Sequence, residues 1–176
     1  MTNEDVQRWA CEVASWREAK GFVTSWENAS QKLFLTVCEL AEAGECVRRG
    51  QWATFQQNGK PEGFPMEIAD AAIRLFDLAG SLQPTMPPFT PYPVAQCSKD
   101  TMLDVLMDLT GDLWVSSSNV HMDRKDTLGI GIMRVLGKLH TISEVIGFDL
   151  QAEVAAKHEF NKGRPYRHGT VNVGGA

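Results

Sequence analysis

Residues 65–82 constrain the fold more than any other stretch of the chain. Ile68, Ala69, Ala71, Ala72, Ile73, Leu75, Phe76, Leu78 and Ala79 crowd into one segment that opens at Pro65, and proline suits a first helical turn. A helix apolar over most of its circumference has to be buried by more than one neighbour. Its charges are Glu67, Asp70, Arg74 and Asp77, spaced 0, +3, +7 and +10. At about 100° per residue they fall on one strip roughly 80° wide. Such a strip is either the helix's only solvated edge or a site.

The remaining periodicity is helical as well. Val6, Trp9, Val13 and Trp16 mark a helix over 4–19, and Leu33, Val37, Leu40, Gly44 and Val47 form the stripe of a second over 29–49, closed by Gly50. A polar loop rich in Gln and Gly leads to Gly63. Five of the eight prolines (Pro84, Pro87, Pro88, Pro91, Pro93) fall within ten residues, which predicts a stiff, extended connector. Ser98 is placed to cap a helix over 99–116 with the core face Leu103, Leu106, Met107, Leu113 and Trp114. A further helix over 125–146 ends at Gly147, and Asp149 caps a last one over 150–162. The end, Thr170 to Ala176, is expected to fray. No segment shows a strand's alternation, so the expected class is an all-α bundle in one domain. At 176 residues it has length enough to bury about 70% of its unfolded surface.

Composition narrows the function. Seventeen Lys and Arg against 22 Asp and Glu give a net charge of −5, which argues against binding nucleic acid by charge neutralisation. Met1 to Asp5 lack the basic and apolar regions of a signal peptide, and charge breaks every apolar run before about 18 residues. The expectation is a cytoplasmic protein with no membrane span. Cys11, Cys38, Cys46 and Cys97 form no CxxC pair and read as small core residues in a reducing compartment.

The strip on 65–82 has a counterpart. Glu39 and Glu42 are also three apart, on a face shared with Leu35, Cys38 and Cys46. Carboxylates at that spacing have Cβ atoms roughly 5–6 Å apart. Two such pairs facing each other suit Mg²⁺ or Mn²⁺, hard cations that prefer oxygen. The plain alternative for each pair alone is a solvated helix face, which is how Glu45 reads. Near the C-terminus Glu153, Lys157 and Asn161 share a helix face, followed by Arg164, Tyr166, Arg167 and His168. They read either as a surface ion pair with a basic tail, or as a phosphate grip. In the second case Asn161 bonds a base or sugar and Tyr166 stacks on a base.

Glu39-Leu-Ala-Glu42, Glu67-Ile-Ala-Asp70 with the run to Leu78, and Lys157-His-Glu-Phe-Asn161-Lys-Gly-Arg164-Pro-Tyr-Arg-His168-Gly169 together resemble the MazG-like family of all-α nucleoside triphosphate pyrophosphohydrolases, especially its phage-type members. The likeness covers about 29–82 and 148–169, which makes 84–146 an insertion. Cys38 stands where the family's EExxE motif has its first Glu. The resemblance implies that Glu39, Glu42, Glu67 and Asp70 are the catalytic acids and bind two or more Mg²⁺ or Mn²⁺ ions. It implies that Arg74, Lys157, Asn161, Arg164, Tyr166 and Arg167 contact substrate. A nucleoside triphosphate is cleaved to a monophosphate and pyrophosphate, with Glu39 or Glu42 orienting water, in a homodimer or homotetramer. Some phage-type members use dGTP, and Phe89, Tyr92 and Trp114 are candidates for a purine pocket, with core packing the alternative for Trp114. There is no His-Asp dipeptide, no P-loop spacing and no ExxH. The rival class is a non-catalytic helical interaction module, for which the row Asp100, Asp104, Asp108 and Asp112 speaks as a solvated face.

Overall fold

The computed structural model describes residues 1–166. Six helices carry the fold: α1 (Asn3–Ala19), α2 (Ala29–Arg48), α3 (Phe64–Leu82), α4 (Met102–His121), α5 (Leu128–Ile146) and α6 (Leu150–Lys162). Short 3-10 turns at Trp26–Asn28 and Lys125–Thr127 lead into α2 and α5. The all-α class expected from periodicity holds.

Helix α3 is the axis of the bundle. Fifteen of its 19 residues are buried, because α1, α2, α5 and α6 all pack on it, as its apolar circumference requires. Gly80 permits the closest approach: a Cβ there would stand 2.1 Å from the Ala10 carbonyl oxygen of α1. Helix α4 packs on α2 and α5. Residues of all six helices join one hydrophobic cluster, so the segment after the proline-rich connector shares the core of the rest. Among the described residues no helix is long and apolar enough to cross a membrane.

Three expectations need correction. The polar loop before α3 holds an antiparallel hairpin, β1 (Phe55–Gln57) and β2 (Lys60–Glu62), with Phe55 opposite Glu62. Asn58 and Gly59 both have positive φ, 53° and 76°, which is the Asn-Gly turn favoured between two strands. The signal stood in the sequence, but the flanking residues lack an alternating apolar face. Second, α4 starts later and runs longer than 99–116, and it turns a different face inward. Met102, Val105, Leu106, Leu109, Leu113 and Ser116 are buried, whereas Leu103, Met107 and Trp114 are 48%, 72% and 70% exposed. The helix carries two apolar stripes, and α2 and α5 cover the one that runs Met102, Val105, Leu106, Leu109 and Leu113. Its acidic row is not simply solvated either. Asp108 and Asp112 both reach Lys138 of α5, at 2.5 and 2.6 Å. Third, of the four free cysteines only Cys46 is buried, and Cys11 is exposed on the outer face of α1.

The caps locate the ends. Thr2 and Asp5 form a capping box at α1, and the Asp149 carboxylate accepts from the N–H groups of Gln151 and Ala152 at α6, satisfying donors a helix start leaves open. Gly63, at φ 112°, sets the entry to α3, and a Cβ there would meet the Ala53 carbonyl oxygen at 2.4 Å.

Candidate metal centre

The acidic strip of α3 splits into two structural roles. Glu67 in its first turn and Asp70 one turn on face α2, where Glu39 lies on the inner side. One carboxylate oxygen from each of Glu39, Glu67 and Asp70 lies within 4.8 Å of the other two. Asp77 belongs elsewhere. It is 3% exposed, holds Arg17 of α1 at 2.6 Å, and accepts the hydroxyls of Thr24 and Ser81. Glu42, expected as a fourth acid, is exposed and stands outside the triad, although it borders the same cleft.

Two of the three carboxylates already have internal counter-ions. Arg74 donates from Nε to Glu39 Oε1 at 2.6 Å, and its Nη2 lies 2.6 Å from the same oxygen. Lys157 Nζ sits 2.5 Å from Asp70 Oδ2, with its side chain 3% exposed. Lys157 therefore does not form a surface pair with Glu153: here it is in a buried ion pair with Asp70. The reason lies in α6, whose buried face is Leu150, Val154, Lys157, His158 and Asn161.

Glu67 has no such partner. It is 3% exposed and, among the described residues, its carboxylate makes no hydrogen bond or ion pair. Burial first, then the charges of Asp70, Glu42 and Glu39, push its pKa up to about 8 against the opposing pull of Lys157. Burial also raises Asp70, with Lys157 opposing. Cys46, beside Glu67, is pushed up to about 11 by burial and that neighbour, so it is a neutral thiol rather than a thiolate ligand. An all-oxygen cluster whose third carboxylate is buried without a cation fits a hard divalent ion.

Glu39 and Asp70 open into a cleft of about 400 Å³ between α1, α2, α3, α6 and the hairpin, while Glu67 lines an adjoining cavity with Glu42, Cys46 and Glu62. Its walls carry six cations (Arg17, Lys32, Lys60, Arg74, Lys157, Arg164) against three carboxylates (Glu39, Glu42, Asp70), in a chain of net charge −5. Asn161, 7% exposed, borders the cleft with its Oδ1 unpartnered among the described residues, as is the Nε1 of Trp16, which also borders it. Arg164 lies half-buried at the rim. Tyr166 sits over Gly21 at a neighbouring cavity, and Arg167, His168 and the stretch from Thr170 to Ala176 lie outside the described residues. Phe89, Tyr92 and Trp114 do not border the cleft. Phe89 packs on His140, Tyr92 lies under Arg134 and Trp114 is exposed. Trp16 and Phe22 are its aromatic residues.

Arg17, Lys32 and Lys60 escaped the sequence reading.

Compared with protein-family models, with curated proteins and with solved structures, the chain matches none.

Proposed function

We propose that this chain is a metal-dependent nucleoside triphosphate pyrophosphohydrolase of MazG-like type, acting in the cytoplasm as a homodimer or homotetramer. The observation that carries the reading is the polarity of one cleft. At one end stand Glu39 and Asp70, two members of an acidic triad whose third, Glu67, is buried with no side-chain partner among the described residues; over the cleft as a whole, cations outnumber carboxylates two to one. A ligand complementary to both ends is a polyanion that arrives with a divalent cation.

In this reading Glu39, Glu67 and Asp70 hold Mg²⁺ or Mn²⁺. When bound, the metal would supply charge neutralisation and lower the pKa of a water. Water adds to phosphorus, the α–β anhydride bond breaks, and the products are a nucleoside monophosphate and pyrophosphate. Glu39 is taken up as a metal ligand in this reading, so Glu42, at the cleft wall and outside the triad, is assigned to orient the water. Arg74 and Lys157 neutralise Glu39 and Asp70 in the metal-free protein, and with a cation bound they would be free to pair with the phosphates. Trp16, Phe22 and the Asn161 amide are assigned to the nucleoside, with dGTP the proposed substrate.

The test is to incubate the protein with each ribo- and deoxyribonucleoside triphosphate plus Mg²⁺ or Mn²⁺ and identify the products. Monophosphate and pyrophosphate are expected, with dGTP ahead, and both vanish in Glu39→Gln and Asp70→Asn while the helical circular dichroism persists. Equal turnover of purines and pyrimidines removes dGTP. No turnover of any nucleotide removes the enzyme and leaves the helical interaction module, which the outward apolar stripe Leu103, Met107 and Trp114 of α4 would then serve.

A further inference from the structure

The cleft's cations are not evenly placed. The C-terminal turns of α1 bring Arg17, and the first turns of α2 bring Lys32, to the wall beside Arg74. Arg17 is 8% exposed and holds Asp77 through Nε, with its guanidinium over the Phe22 ring at 4.7 Å. Its terminal nitrogens make no hydrogen bond among the described residues. Lys32, half-buried, has no ion pair there either. Its charged neighbours are Arg17, Arg74 and a single carboxylate, Asp77, which Arg17 already engages. Burial and the two arginines lower its pKa. Three cations thus share two carboxylates, Asp77 and Glu39. The corner keeps an excess positive charge inside an acidic protein.

We propose that the Arg17–Lys32 corner is a separate anion subsite that takes phosphoryl groups of a polyphosphate, apart from the metal ligands. It rests on the nucleotide reading above for the rest of the ligand. Spacing supports this class of ligand. Asp70 and Arg74 are four residues apart on α3, about 6 Å along the helix axis, so a chain of phosphoryl groups can touch the triad at one end and the corner at the other. A single carboxylate ligand cannot bridge the two. Guanidinium and ammonium groups side by side suit phosphoryl oxygens, the first as a planar fork and the second as a point charge.

The experiment titrates inorganic tripolyphosphate into the full chain in EDTA, by calorimetry. The wild type binds it without metal. Lys32→Met and Lys32→Gln each weaken binding about tenfold or more, the loss of one charge-assisted contact, whereas Lys32→Arg stays within about threefold of wild type. Circular dichroism confirms that all three remain folded. The proposal is overturned if the wild type binds no tripolyphosphate in EDTA, or if both neutral variants bind it like wild type. It is equally overturned if Lys157→Met abolishes binding and Lys32→Met does not, because the anion then sits on the triad's own counter-ions. Mn²⁺ binding, followed separately by electron paramagnetic resonance, keeps the two readings distinct. Lys32-dependent tripolyphosphate binding in a protein that takes no Mn²⁺ removes the metal enzyme and leaves the subsite standing.

Discussion

Replacing Glu67 by glutamine removes a buried charge while keeping the shape of the side chain. Glu67 is 3% exposed, and its carboxyl is held at about 8 against an ordinary 4.5. Below pH 4.5 it is protonated both folded and unfolded, and costs nothing. Between 4.5 and 8 the unfolded chain releases a proton that the folded one retains, so the metal-free fold loses stability as pH rises, and the loss levels off above 8. At 1.36 kcal/mol per pH unit that interval sets a ceiling near 5 kcal/mol, and hydration through the cleft brings the expected effect to about 2–4 kcal/mol. For a chain of this length the Glu67→Gln protein should melt roughly 5–15 °C above wild type in EDTA at pH 8.5. The gap should shrink to a few degrees or less at pH 5. Asp70, also raised, is common to both proteins and cancels. Adding Mn²⁺ at pH 8.5 should raise the wild-type Tm and leave the variant unmoved. A Glu67→Gln protein that melts below wild type in EDTA at pH 8.5 would refute the reasoning, because the carboxylate would then be satisfied within the protein.

Other perturbations separate structure from site. Asp77→Asn strands the buried Arg17 and should cost about 3–5 kcal/mol in urea unfolding, while Mn²⁺ affinity stays unchanged, since Asp77 lies outside the triad. Gly80→Ala forces α1 and α3 apart where the Ala10 carbonyl stands and should cost about 1–3 kcal/mol, read as a lower Tm. Lys157→Met removes a like charge from beside the metal ligands. Without nucleotide it should bind Mn²⁺ about tenfold more tightly by calorimetry; weaker binding would mean that Lys157 only holds Asp70 in place.

The helical framework was legible because its signals are local. Pro65, Asp149 and the run from Ile68 to Ala79 fix α3 and α6 to within a residue or two of the expected bounds. The α4 face was not legible, since Met102, Val105, Leu109 and Leu113 compete with Leu103, Met107 and Trp114, and the choice is made by α2 and α5 rather than by period. The triad was visible as two carboxylate pairs, but which three acids meet depends on how α2 rotates against α3, and that rotation leaves Glu42 outside. Lys157 misled for a similar reason. Its spacing from Glu153 suggests a surface pair, while Leu150, Val154 and Asn161 at the same period place it on the buried face. Arg17 and Lys32 converge only through the packing of α1 and α2 around α3.

The most direct test is diffraction from crystals soaked in Mn²⁺, recorded for its anomalous signal. A peak bounded by Glu39, Glu67 and Asp70, with Lys157 Nζ withdrawn from Asp70, is the expected result. A soaked crystal with no peak among these carboxylates, or with Lys157 and Arg74 still closed on them and manganese only at surface acids, would contradict the account.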